Sequence, residues 1–96
     1  MIELSKFRLL DGVSTGEFLE RDADFQQHFV YQQEGLVRRT MASGLDGEWA
    51  SITWWRSMKD VRRAASESLT TPVAIAFSAL LDSTSITTEY FKELPG

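Results

Sequence analysis

The stretch from Gly47 to Ser57, GEWASITWWRS, holds all three tryptophans of the chain and sets Trp54 directly beside Trp55. In an extended strand successive side chains point to opposite faces, so these two indoles have to be buried on two different sides of a sheet. A small antiparallel sheet that is wet on one side would leave one of them in water and forfeit roughly 2 to 3 kcal/mol of burial. The flanking sequence sharpens this demand. Gly44-Leu45-Asp46-Gly47 separates Glu48–Arg56 from another strand-like run, Leu36–Ser43, and carries the Asp-Gly signal of a hairpin. A four-residue loop pairs Ser43 with Glu48. In that register one face of the hairpin carries Leu36, Arg38, Thr40, Ala42, Trp49, Ser51, Thr53 and Trp55, and the other carries Val37, Arg39, Met41, Ala50, Ile52 and Trp54. Neither set is the polar face of a half-solvated sheet, so both faces call for cover.

The rest of the chain supplies one cover. Ile2 to Leu10 reads as a strand stopping at Asp11-Gly12, and Ser14-Thr15-Gly16-Glu17 has the form of a capping box that opens a helix. Phe18, Leu19, Phe25, Phe29 and Val30 recur along it at helical spacing, and the pattern fades near Gln33-Glu34-Gly35. Ser57 with Asp60 caps another helix bearing Met58, Val61, Ala65 and Leu69 on one side. Thr71 before Pro72 predicts a third, with Val73, Ala76, Phe77, Leu80 and Leu81 inward. Ile86 to Leu94, rich in Thr, Ile, Tyr and Phe, predicts the last strand. The order β-α-β-β-α-α-β is the α+β, ferredoxin-like split βαβ arrangement: a four-stranded antiparallel sheet with helices on one face. The other face then needs a second subunit, and a homodimer is expected.

Composition narrows the function. A chain of 96 residues, 43% hydrophobic, forms a single domain with one modest core, spanning residues 1–96. A net charge of -4 with cations scattered among acids offers no basic stripe of the kind that attracts phosphate backbones, so nucleic acid is not an expected partner. With no cysteine and one histidine, disulfides, thiolate sites and imidazole-rich metal sites are not expected, and no metal is assigned. Glu3, Lys6 and Arg8 interrupt the N-terminal apolar run, no segment approaches a membrane span, and a cytoplasmic location is expected.

The element order, together with ITWWRS followed by a capped helix, resembles the dimeric α/β-barrel superfamily, and within it the antibiotic biosynthesis monooxygenase-like (ABM-like) small domains. The resemblance runs from Phe7 to Leu94. It implies that two subunits close a barrel from their sheets and that each has a pocket between helices and sheet. Members include quinone-forming monooxygenases without a prosthetic group, haem-degrading oxygenases, dehalogenases and lactone isomerases. The Trp pair resembles that of the haem-degrading branch, which implies that Trp55 is a pocket residue. The axial histidine of that branch would fall in Val73–Ser78, where there is none, and the asparagine it shares with the quinone-forming enzymes is missing from a chain without Asn. Haem degradation is therefore disfavoured, and no cofactor is expected.

Candidate site residues follow from both readings. Phe18, Asp22, Phe25 and Phe29 lie on one helix face, which places a carboxylate inside an aromatic stripe. Related small barrels have an Asp and a Gln at these places of the first helix, here Asp22 and Gln26. Asp22 is either a general base for a substrate in the pocket or a structural partner of Arg38 or Lys6. With Trp55 facing the pocket, the hairpin register adds Arg38, Thr40, Ser51 and Thr53 as substrate-binding residues, a wall that suits a polar aromatic or keto compound. Phe77 is ordinary core by spacing or an apolar lid of the pocket, and no sequence signal separates the two roles. His28 is the only side chain of its type, a candidate acid or base, or else a surface group at the end of the first helix. Tyr31 and Tyr90 are phenolic donors to a substrate, or ordinary packing. Three functions remain open: a cofactor-independent monooxygenase or isomerase acting on a polyketide-like or quinol compound, a ligand-binding module without turnover, and a dimerisation domain.

Overall fold

The computed structural model describes all residues, Met1–Gly96. Strand β1 (Ile2–Phe7) is followed by helix α1 (Thr15–His28), the hairpin of β2 (Leu36–Ser43) and β3 (Trp49–Trp55), helices α2 (Met58–Ser68) and α3 (Pro72–Ser78), and strand β4 (Thr87–Phe91). The strands form one antiparallel sheet in the order β2-β3-β1-β4, the ferredoxin-like arrangement expected.

Local chemistry explains the helix boundaries. The Ser14 Oγ accepts from the Glu17 backbone N–H at 3.1 Å and starts α1. Ser57 does the same for α2, accepting from the Asp60 N–H at 3.2 Å while its own hydroxyl donates to Asp60 Oδ2 at 2.7 Å. Pro72 opens α3, but Thr71 does not cap it: its hydroxyl donates to the Glu67 carbonyl at 2.7 Å and serves the end of α2 instead. Between α1 and β2, Gly35 takes φ +84, and a Cβ built there would overlap the Asp60 side chain. Only glycine meets both conditions.

The core lies between the helices and one face of the sheet, in three small clusters. Phe7, Phe18 and Phe77 form one, Phe29, Val30 and Ala74 a second, and Trp55, Val61 and Ala64 a third. Phe18, with no exposed surface, is the keystone, its ring 4.6 Å from that of Trp49 and 5.7 Å from that of Phe77. Leu19 and Leu69, expected to point inward, are on the surface at 46% and 77% exposure. Leu69 follows the last turn of α2, and Leu19 sits one step round from the buried Phe18.

The hairpin register differs from expectation. Leu36 opposes Trp55 as anticipated, but Arg38 opposes Trp54 and Arg39 opposes Thr53, with a β-bulge between Leu36 and Arg38. The extra residue, Val37, shifts everything after it by one place. At the other end Ser43 pairs with Trp49, and the Gly44 N–H donates to the Glu48 carbonyl at 2.6 Å across a three-residue loop ended by Gly47 at φ +88. The faces of β3 are as expected; those of β2 beyond the bulge are exchanged.

Candidate functional site

The exchange decides which arginine meets the helices. Arg39, not Arg38, lies on the helix-covered face, where it is buried at 7% exposure. Its Nη1 donates to Gln26 Oε1 at 3.1 Å, and its Nη2 lies 2.8 Å from Asp22 Oδ1. That carboxylate oxygen has no aligned hydrogen bond despite the short distance, so the pair is held by charge rather than by geometry. The guanidinium also lies 5.3 Å from the ring centroid of Phe25 and 5.7 Å from that of Phe77, which stack on each other at 4.5 Å. The Tyr31 hydroxyl accepts from the Arg39 backbone N–H at 3.1 Å, bonding the edge of the sheet at the same residue. Arg39 is thus fixed from α1, from the aromatic stack and from its own backbone.

Beyond Arg39 a cavity of about 240 Å³ opens between the sheet, α2 and α3. Glu3, Ser5, Ser51, Thr53 and Trp55 line it from the sheet, Phe25, Phe29 and Phe77 from the side of α1 and α3, and Val61, Ala64 and Ala65 from α2. Its volume lies below the roughly 300 to 1,000 Å³ of drug-sized ligand sites, which limits an occupant to a small compound. Trp55 is anchored by its indole Nε1, which donates to Glu3 Oε1 at 3.0 Å. Tyr90, on β4, points its hydroxyl at Glu3 Oε2 from 3.5 Å. Partial burial and the neighbouring Glu3 charge raise the Tyr90 phenol above its ordinary 10.0, which keeps it a donor.

The expected site residues therefore divide. Ser51, Thr53, Trp55 and Phe77 line the cavity together. Asp22 and Gln26 stand behind Arg39 and do not line it, so Asp22 takes the structural role but with Arg39 rather than Arg38 or Lys6. Arg38 and Thr40 are on the opposite face, where the Arg38 guanidinium stacks 4.2 Å from the Trp54 ring centroid. His28 is exposed in the last turn of α1, away from the cavity. Glu3 and Ser5 were missed, and of the two adjacent arginines, which alternation sends to opposite faces, it is Arg39 that lines the cavity. Alternation back from Phe7 would have placed Glu3 and Ser5 on its face, but a charged residue in a strand reads as solvated. No group of three or more His, Asp or Glu side chains stands close enough to hold a metal ion.

No protein-family model and no curated protein sequence matches the chain. Among solved structures, SnoaB of Streptomyces nogalater, described as a cofactor-independent oxygenase, is 23% identical; as a single-site variant it superposes with a TM-score of 0.78 over 99% of this chain and 93% of its own. A structure described as an antibiotic biosynthesis monooxygenase is 10% identical with a TM-score of 0.75 over 99% of this chain and all of its own length, 100%. Rv0793 of Mycobacterium tuberculosis is 14% identical, with a TM-score of 0.71 over 99% and 95%. At these identities the likeness establishes the fold, which is that of the ABM-like structures.

Proposed function

We propose that this protein binds a small hydroxylated or keto aromatic compound in the cavity beside Trp55 and that it acts there as a monooxygenase or isomerase needing no cofactor. The observation that carries the reading is the open cavity itself, in which an indole, three serines, a threonine, a carboxylate and a guanidinium converge among apolar walls. A domain of this size gains nothing in stability from leaving such a space unfilled beside buried polar groups. Likeness in fold to a cofactor-independent oxygenase supports the choice of chemistry. A second reading, ligand binding without turnover, is favoured by one fact: Asp22, a candidate base, is engaged by Arg39 outside the cavity.

Oxygen uptake with a panel of quinols and naphthols tests the first reading, with Trp55→Phe as the comparison. Turnover reduced at least tenfold in the variant supports it; quenching of tryptophan fluorescence without oxygen uptake supports binding alone. We further propose that the working unit is a homodimer joined through the uncovered sheet face. Ile2, Leu4, Ile52 and Trp54 are only partly buried there, and Phe91 is 47% exposed. Sedimentation equilibrium should show a dimer at micromolar concentration, and Trp54→Lys should convert it to a monomer; a wild-type monomer would rule this pairing out.

A further inference from the structure

Strand pairing places four polar side chains in one row across the sheet, on the face that the helices partly cover. Tyr90 on β4 opposes Glu3 on β1, Glu3 opposes Thr53 on β3, and Thr53 opposes Arg39 on β2. Phenol, carboxylate, hydroxyl and guanidinium thus succeed one another at one strand spacing each, so that Glu3 and Arg39 are set about 10 Å apart in the backbone. Of these, Glu3, Thr53 and Arg39 line the cavity.

The charges in this row are not equivalent. Arg39 already has its counter-ion in Asp22, behind the cavity wall. Glu3 takes part in none of the ion pairs and is held only by the neutral donors Trp55 and Tyr90. An ionised carboxylate carries about four lone-pair sites over its two oxygens, and two donors leave acceptor capacity directed at the cavity. The cavity with its supporting Asp22 therefore has an unbalanced negative charge, which disfavours an anionic occupant and favours one that can give a hydrogen bond.

We propose that Glu3 is the proton-accepting group of this cavity, and that the ligand is a neutral one- or two-ring hydroxyaromatic compound whose hydroxyl meets Glu3 while an acceptor such as a carbonyl faces Thr53 and Arg39. The proposal rests on the cavity being a ligand site. In the step it allows, the ligand O–H bond breaks, the proton passes to a Glu3 carboxylate oxygen, and the ligand keeps the electron pair as an aryloxide. The aryloxide then faces a neutral carboxylic acid, with the Trp55 N–H still on Oε1, and conjugation can carry its charge toward the carbonyl end, where Arg39 stands. Tyr90, held protonated by burial and by the Glu3 charge, is a donor to this carboxylate and not a competing base.

Calorimetric titration of the full chain with 1-naphthol, its methyl ether and 1-naphthoate tests the assignment. The wild type should prefer the naphthol over the ether by about tenfold, the difference of one hydrogen bond to a charged acceptor, and bind the naphthoate most weakly. In Glu3→Gln the preference for the hydroxyl should fall to about onefold on the same scale. Retention of the full preference in a folded Glu3→Gln protein overturns the proposal while leaving the cavity a ligand site, and tightest binding of 1-naphthoate overturns it in favour of an anion site at Arg39. If Glu3→Gln does not fold, Tyr90→Phe decides: removing the competing donor should strengthen the hydroxyl preference severalfold, and an equal shift for naphthol and ether overturns the assignment. Failure of the wild type to bind any of the three probes overturns the ligand reading of the cavity together with the role of Glu3.

Discussion

Trp54 and Trp55 are neighbours in sequence and strangers in environment. Trp55 is 7% exposed, with its N–H bonded to Glu3 and its ring against Val61 and Ala64 under α2. Trp54 lies on the bare face of the same strand, where the stacked guanidinium of Arg38 provides its cover within the subunit. The arginines repeat the contrast: Arg39 is clamped by a carboxylate, an amide and two phenyl rings, whereas Arg38 rests on one indole. One residue type is thus a buried structural element or an exposed cover depending on which side of a strand it falls.

The largest expected effect breaks the clamped side. Arg39→Met strands the buried Asp22 carboxylate and should cost about 3 to 5 kcal/mol in denaturant unfolding, whereas Arg39→Met with Asp22→Leu should recover most of that loss. An additive double variant would mean that the two charges do not act as a pair. Next comes the turn that delivers β2: Gly35→Ala forces a side chain into a left-handed conformation and into Asp60, and a loss of about 1 to 3 kcal/mol is expected in the same measurement. On the bare face, Arg38→Ala removes only an exposed cation–π contact, and about 0.5 to 1 kcal/mol should suffice; a loss as large as that at Arg39 would erase the distinction between the faces.

The smallest effect concerns pH. The Ser57 hydroxyl holds the Asp60 carboxyl below its usual 3.8, with desolvation opposing and Arg63 assisting. The folded chain then binds this proton more weakly than the unfolded one, so the contribution is complete above about pH 4 and is lost as the pH falls through the lower folded value. Asp60→Asn should therefore flatten the acid limb of a stability profile slightly and leave its neutral shape unchanged. A steeper acid limb in the variant would reverse the sign of this coupling.

Much of the fold could be read from residue order. Ser14, Ser57 and Pro72 mark helix starts because caps act locally, and the alternation of β3 sorts Trp49, Ser51, Thr53 and Trp55 onto one face because a strand has only two. What could not be read is non-local. Nothing in Leu36-Val37-Arg38 announces a bulge, since the bulge answers to the pairing with β3, and the loop Gly44–Gly47 reads as four residues until Gly47 is seen in its left-handed conformation. Those two details moved Arg38 and Thr40 out of the site and Arg39 into it. Asp22 stands out in the sequence because a carboxylate in an aromatic stripe has to be paired, but its partner, Arg39, depended on the same slip. Glu3 went unnoticed because its neighbours Trp55 and Tyr90 are brought to it only by the sheet.

Val37 is in this sense a phase shift in a two-stroke pattern. With it present, the first of two consecutive arginines is addressed outward, to whatever covers the bare sheet, and the second inward, to the chamber beneath the helices. Deleting that single valine would only straighten the strand and leave both deliveries as they are; they interchange when the valine is paired regularly and the hairpin loop takes up one residue more. A chain can therefore trade the chemistry of its interior against that of its bare sheet face by a change of register alone, with every side chain of the strand left as it was.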